Sequence, residues 1–256
     1  MLITASEIIK KSWETYSQNW KKFIPYVVAI FASSTFLVLV GFVSFKIEEI
    51  ISKESLLFIN NIFTALVSVA VIVFTLWISI ALTKNLYNAI LNKEIVGLKD
   101  SLSQNSKYLW PVIWSSFLMF LAVVGGLFLL IIPALIFAIW FTYTFYVVIF
   151  EDVKGITALK NSKKMVSGRW WKTLWLILAP TIFYGVLFYV VQNILYLPLT
   201  IFLTKGSWIY LLYKSLSVNI ISAFFTPLSA LPMIYLYFSA KENPASQPLP
   251  PPVEVK

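Results

Sequence analysis

Cysteine and histidine are both absent from the 256 residues of the chain. Without cysteine there is no disulfide, no thiol nucleophile and no thiolate ligand for a metal. Without histidine the chain lacks the side chain most often used for proton transfer near neutral pH and for zinc binding. We therefore predict no metal site and no cofactor. The missing cysteine leaves the redox state of the compartment open.

Charged residues are scarce as well. They make up 12% of the chain while hydrophobic residues make up 59%, against about 25% and about 45–50% in soluble domains. A soluble fold cannot hide so large an apolar fraction, so we expect the chain in a bilayer. The net charge of +9 would favour nucleic acid as a partner of a soluble protein. Here it is better explained by basic residues at the cytoplasmic edges of membrane spans, and we expect no nucleic-acid partner.

Long runs without charge predict six transmembrane helices, because one crossing takes about 20 apolar residues. The third run is about twice the length of one crossing, so it must turn back in the membrane. The turn is predicted near residues 127–134, where Pro133 can open the returning helix. The fold class predicted is all-α, a polytopic membrane protein. The runs are residues 23–45, 55–83, 108–150, 173–204 and 215–240.

The positions of lysine and arginine predict the orientation. With a cytoplasmic N-terminus, 16 of the 20 basic residues lie inside, and only Lys46, Lys53, Lys205 and Lys214 lie outside. Basic residues concentrate on the cytoplasmic side of membrane proteins. We expect a multi-pass protein of the plasma (inner) membrane with both termini in the cytoplasm. The first apolar run follows a long polar segment, which does not fit a cleavable signal peptide.

A repeat organises the chain. Residues 10–22 (KKSWETYSQNWKK) align without a gap with residues 160–172 (KNSKKMVSGRWWK), and residues 101–110 give a fainter copy in which Asn105-Ser106-Lys107 matches Asn161-Ser162-Lys163. We predict a membrane domain over residues 1–242 with three units, at about 3–83, 96–150 and 154–240. Each unit has a cytoplasmic amphipathic helix followed by a hairpin of two spans. Residues 243–256 are predicted to be a disordered, proline-rich cytoplasmic tail.

The densest group of charges follows the fourth span, in EDVKGITALKNSKKMVSGRWWK (151–172). Lysines near an anionic membrane surface contribute about 1 kcal/mol each, and tryptophans favour the interface. We predict lipid contact there, or a simpler role in packing the next span. Arg169, the one arginine, is predicted to pair with Glu151, Asp152 or a lipid phosphate. The interfacial residues are Glu151, Lys160, Ser162, Lys163, Lys164, Gly168, Arg169, Trp170, Trp171 and, in the first copy, Trp20.

No familiar catalytic motif is present, so we predict no enzyme activity and no catalytic residue. Lys214 is interpreted as reaching to the outer headgroups. Two interpretations stay open for the polar residues at span depth, since they could join helices or line a solute path. The first hypothesis is a scaffold or regulatory membrane protein that contacts lipid or a protein partner. The alternative is a transporter of a small solute or lipid, and a membrane enzyme of unfamiliar type comes third. The polar residues are Asn60, Asn61, Gln192, Asn193 and Asn219.

Residues 129–172 resemble a pattern found in a group of bacterial six-span membrane proteins. The group includes the membrane domain fused to some glycerophosphoryl diester phosphodiesterases, and related families of unknown function. Ala134 departs from the pattern, which has glycine there and hence a tighter turn. The resemblance implies six spans but no phosphodiesterase activity, because the chain has no room for that catalytic domain. The matching residues are Pro133, Glu151, Ala158, Leu159, Ser162, Gly168, Arg169 and Trp171.

Overall fold

The computed structural model describes residues 2–50, 54–202, 204 and 207–244. Within these ranges the chain forms nine α-helices, one short 3₁₀ turn and no strand, which confirms the all-α prediction. Most of the predicted tail, from residue 245 on, lies outside the described residues. The helices are α1 (Ala5–Ile50), α2 (Glu54–Ile90), α3 (Leu98–Asn105), α4 (Leu109–Leu129), α5 (Ile131–Trp140), α6 (Thr144–Glu151), α7 (Gly155–Val166), α8 (Trp170–Phe202) and α9 (Trp208–Glu242).

Six helical segments are long and apolar enough to cross a membrane, in keeping with a multi-pass membrane protein. They come from α1, α2, α3 with α4, α5 with α6, α8 and α9. Large apolar side chains on them face outward: Phe58 is 66% exposed and Phe128 is 87% exposed. Such a surface fits hydrocarbon, where a helix satisfies its own backbone hydrogen bonds.

The chain divides into two compact units. The first contains residues up to Ile8, the segment Trp110–Ala179 and the residues from Met233 on. The second contains Ile9–Leu109 and Pro180–Pro232. The first unit thus holds α4 to α7, and the second holds α2, α3 and most of α1.

Helix α1 differs from the prediction of a separate polar helix before the first span. It runs for 46 residues without interruption and keeps Pro25 inside it. In the matching segment of the third repeat, Gly168 has a left-handed φ of 80° and separates α7 from α8. Gln18 stands at the corresponding place in the first copy. Glutamine is a good helix former, so nothing ends the helix there.

The turn between α4 and α5 lies where the sequence predicts it, at Leu130, with Pro133 in the first turn of α5. The two helices approach closely beside this turn. A Cβ atom on Gly126 would lie 2.9 Å from Cδ2 of Phe137 and 3.0 Å from the backbone nitrogen of Ala134. Gly126, rather than the residue at position 134, therefore permits the close contact.

The three polar segments of the predicted repeat share a pattern of burial, but in a different register for the middle copy. Ser12, Ser101 and Ser162 are 0%, 1% and 0% exposed. Five residues later, Ser17, Ser106 and Ser167 are exposed, and each donates to a carbonyl oxygen of its own segment. The sequence alignment places Ser106 opposite Ser162. Burial favours Ser101 instead, a shift of five residues that also pairs Lys99 with Lys160.

Candidate functional site

The connection from α6 to α7 is fixed by two left-handed residues and one buried hydrogen bond. Asp152 has a φ of 57° and Gly155 a φ of 61°. The Gly155 amide donates to Oγ of Ser115 in α4 at 2.7 Å. A Cβ on Gly155 would also lie 3.5 Å from the Trp114 ring. The start of α7 is therefore held against α4, at a position that suits glycine.

Helix α7 packs one face against α5 and α6 and leaves its lysine face exposed. Ala158, Leu159, Ser162 and Val166 are buried. The exposed positions include Lys160, Lys163, Lys164 and Ile156. The helix ends at Val166, one residue before the Ser167-Gly168 pair that predicts a helix stop.

Ser162 fills a break in the fourth span, between α5 and α6. Its hydroxyl donates to the Trp140 carbonyl at 2.8 Å and accepts from the Tyr143 amide at 3.0 Å. These backbone groups belong to the break, where the regular helical bonds are interrupted. The next residue, Lys163, places its ammonium group 3.9 Å from the centre of the Trp140 ring. Helix α7 is thereby anchored to the break.

Glu151, the last residue of α6, is the centre of a cluster that also contains Asn161, Tyr237 and Lys241. Tyr237 donates to the carboxylate at 2.8 Å and Asn161 at 3.2 Å, and Lys241 forms an ion pair with it at 3.2 Å. The Tyr237 ring contacts Phe150 with a centroid distance of 5.6 Å, which helps to place its hydroxyl. The cluster connects α6 and α7 to the end of α9.

Arg169 binds the C-terminal end of α9. Its Nη2 donates to the Ala240 carbonyl at 2.9 Å, its Nη1 donates to the Asn243 carbonyl, and its Nε donates to the Met165 carbonyl at 2.7 Å. The predicted partner was a carboxylate or a lipid phosphate, whereas Glu151 is paired with Lys241. The last carbonyls of a helix lack helical donors and carry partial negative charge, so they suit a cation.

Burial lowers the pKa of the Arg169 guanidinium from its ordinary value, and the nearby Tyr143 hydroxyl raises it in turn. Because an arginine starts so far above neutral pH, the side chain stays charged. The site therefore keeps a permanent positive charge at the junction of α7, α8 and α9.

The predicted tryptophans differ in their surroundings. Trp171 is 77% exposed and meets the Trp170 ring edge-on, with centroids 4.7 Å apart. Trp170 is half-buried, and its ring nitrogen has no hydrogen-bond partner among the described residues. Trp20 is 41% exposed and belongs to the second unit, whereas the other predicted interfacial residues all belong to the first.

Sequence reasoning did not find Tyr237 and Lys241, which lie more than 80 residues from Glu151 in the chain. It also did not find a buried network in the second unit. There the Asn85 amide donates to the Ser101 hydroxyl at 2.8 Å and the Tyr26 hydroxyl at 2.6 Å. The match of Ser101 with Ser12 and Ser162 could have indicated this network.

Among the described residues, no group of three or more Asp or Glu side chains could hold a metal ion. No protein-family model, no curated protein and no solved structure matches the chain.

Proposed function

We propose that the chain is a non-enzymatic membrane protein whose cytoplasmic polar helices contact anionic lipid headgroups, in a scaffold or regulatory role. The exposed lysine face of α7 is the observation that carries this proposal. Ser162 and the buried side chains anchor the opposite face, so Lys160 and Lys164 are presented outward on a fixed helix. Lysines held in this way near an anionic surface are attracted by it without having to order first.

The proposal includes a location in the plasma membrane, both termini in the cytoplasm and three hairpins of spans. The distribution of basic residues supports this orientation. Exposed Trp171 lies beside α7, and its ring is suited to the interface that the lysines would face. Membership of the bacterial six-span group rests on residues 129–172 alone and stays a prediction.

Three of the five polar residues at span depth favour this proposal over transport, whereas the buried amide nitrogen of Asn219 has no hydrogen-bond partner among the described residues. Asn60 donates to Ser44 Oγ at 2.8 Å, Gln192 to Tyr196 at 2.9 Å, and Asn193 to the Tyr189 carbonyl at 2.8 Å. Asn60 joins α1 to α2, and the other two bond within α8. These three amides serve helix structure and packing, as polar residues commonly do in membranes.

Their depth supports the same interpretation. Asn60 precedes Lys84 by 24 residues and Gln192 follows Lys172 by 20 residues. At 1.5 Å per residue these separations are about 30–36 Å, close to the thickness of the hydrocarbon core. If the lysines mark the cytoplasmic boundary, the amides lie near the outer boundary rather than at the midplane.

The test replaces Lys160, Lys163 and Lys164 together with glutamine. We expect the preference of the purified protein for phosphatidylglycerol over phosphatidylcholine to fall more than tenfold, because each lysine near such a surface contributes about 1 kcal/mol. The measurement is the composition of the lipids that stay bound after reconstitution into mixed vesicles and mild detergent extraction. The matched control replaces the exposed Lys46 and Lys214, which are predicted to lie outside. An unchanged preference in the triple variant would refute the lipid contact.

A further inference from the structure

The depth to which the α4–α5 hairpin enters the bilayer can be measured from the charged residues of α7. The Lys163 ammonium group lies 3.9 Å from the centre of the Trp140 ring. An ammonium group is costly in hydrocarbon and tryptophan favours the interface, so this pair marks the headgroup level on α5. Trp140 is nine residues from Ile131, the first residue after the turn. At 1.5 Å per residue the hairpin extends about 14 Å beyond this pair.

Helix α4 gives a second measure of the same depth. The Ser115 hydroxyl accepts a hydrogen bond from the Gly155 amide at 2.7 Å, and Gly155 directly follows the exposed Lys154. Ser115 therefore also lies near the level of the headgroups. It precedes the end of α4 at Leu129 by 14 residues, or about 21 Å. Both distances are shorter than the hydrocarbon core, which is about 30 Å thick.

The fourth span changes its surroundings at the break between α5 and α6. Among the described side chains of α5, only Ala134 is buried. In the eight residues of α6, the buried ones are Thr144, Tyr146, Val147, Val148 and Ile149. An apolar helix that is covered by protein does not need lipid around it, so the part of this segment that faces lipid is α5. The change occurs next to Trp140, at the level that Lys163 marks.

The tip of the hairpin lacks the residues that hold a chain at a membrane surface. The sequence from Phe117 to Ile139 contains no charged residue, serine, threonine, asparagine, glutamine, tryptophan or tyrosine. The other two predicted outer connections, residues 46–54 and 203–207, both contain lysine. At the tip, Phe128 and Ile131 are 87% and 69% exposed. A tip of this composition fits hydrocarbon better than the outer headgroups.

The backbone of the turn is also compatible with hydrocarbon, where free polar groups are costly. A single residue, Leu130, separates the two helices. Its amide donates to the Gly126 carbonyl at 3.0 Å. Pro133 has no amide hydrogen, which removes one of the free donors at the start of α5.

We propose that the α4–α5 hairpin ends inside the hydrocarbon core, with its tip in contact with lipid acyl chains, and does not reach the outer headgroups. The chain still enters and leaves this hairpin on the cytoplasmic side, so both termini keep their predicted location. This inference rests on α7 lying at the headgroups, as the proposed function has it. It adds an apolar lipid contact within the membrane to the charged contact of α7.

The experiment measures depth at three positions of α4 in the full-length protein, which has no cysteine of its own. Trp114→Cys, Phe120→Cys and Phe128→Cys each replace an exposed side chain and carry a nitroxide spin label. Positions 120 and 128 lie about 9 Å and about 21 Å along the helix from position 114. The labelled proteins are reconstituted into vesicles of phosphatidylglycerol and phosphatidylcholine. Oxygen concentrates in hydrocarbon and a nickel chelate stays in water, so the ratio of their effects on the label reports its depth.

We expect the oxygen-to-nickel ratio to rise severalfold along the series and to be highest at position 128. A hairpin that crosses the bilayer would instead give the highest ratio at position 120. Position 128 would then resemble the control Lys46→Cys, which is exposed and predicted to lie outside. That order would overturn the proposal. A label at position 128 that neither reagent reaches would show that protein covers the tip, and it would overturn the lipid contact.

A further arm separates this inference from the proposed function. It is the lipid preference of the Lys160, Lys163 and Lys164 glutamine variant, measured in the same vesicles. If the preference is unchanged while position 128 is the deepest, the charged contact of α7 fails and the hairpin stands. If the preference falls while position 128 lies at the outer surface, the hairpin fails alone.

Discussion

At the scale of single residues, Arg169 shows why an arginine stands alone among 19 lysines. Its nitrogens reach the Ala240 and Asn243 carbonyls at the end of α9 and the Met165 carbonyl at the end of α7. A planar group with several fixed donors can bind three carbonyls at once, whereas a lysine is a single point charge. The geometry, more than the charge, is what this position requires.

Arg169→Lys keeps the charge but removes the planar guanidinium group with its several fixed donors. We therefore expect the free energy of unfolding to fall by about 1–2 kcal/mol. The measurement is the midpoint of thermal unfolding in detergent. Lys164→Gln removes an exposed charge from the neighbouring helix and serves as the control, with no change expected. If Arg169→Lys had the same unfolding midpoint as the unmodified protein, the hydrogen bonds of the guanidinium group would not contribute to stability.

The sequence identifies Arg169, Ser162 and Gly168 as candidate site residues, because their residue types differ from those of the residues around them. It does not indicate their partners. In a bilayer, lipid-facing and packed side chains are equally apolar, so the hydrophobic pattern does not reveal which helices touch. Pairs such as Glu151 with Tyr237 and Lys241 depend on that packing and had to be seen in the structure.

At the scale of helices, two adjacent glycines, Gly125 and Gly126, precede the turn from α4 to α5. Only Gly126 has close neighbours. A Cβ on Gly126 would meet Phe137 and the Ala134 backbone, while one on Gly125 would meet nothing within 4 Å. Backbone atoms cannot move aside as a flexible side chain can. The crowded position therefore tolerates no side chain without a shift of α5.

Gly126→Ala should cost about 1–3 kcal/mol, because overpacking forces helices apart. Gly125→Ala, its neighbour in the same helix, should cost nothing, since alanine favours helix. Thermal unfolding of both variants in detergent measures the difference. Equal stability of the two variants would show that α4 and α5 do not approach as closely as described.

Helix ends were predictable where local chemistry sets them. Pro133 and the Ser167-Gly168 pair mark boundaries that the structure keeps. The separate first polar helix was not predictable from its repeat partner, because Gln18 replaces the glycine that ends α7. The break at residues 141–143 was missed as well. It contains no glycine or proline, and Ser162 of a later helix satisfies its backbone.

At the scale of the whole molecule, the absence of cysteine makes the orientation directly testable. Lys46→Cys, Lys160→Cys and Lys214→Cys each place one thiol at an exposed position of an otherwise thiol-free chain. A membrane-impermeant maleimide should label positions 46 and 214 in intact cells. It should label position 160 only after the membrane is opened, since the basic side faces the cytoplasm. Labelling of position 160 in intact cells would show that the orientation is opposite to the predicted one.

The six apolar helices could be predicted from composition and run length alone, because hydrocarbon demands about 20 apolar residues for each crossing. The division into two compact units could not, since it depends on which helices pack together.

The continuity of α1 gives two polar segments of the predicted repeat different mechanical properties. A force on residues near Trp13 would pass along an unbroken helix into the first span and tilt or turn it. Helix α7 is instead held to α4 through Gly155 and to the break in the fourth span through Ser162, so the same force would pass into those helices. A push on the first segment would therefore move the span that follows it, and a push on α7 would move the spans that precede it.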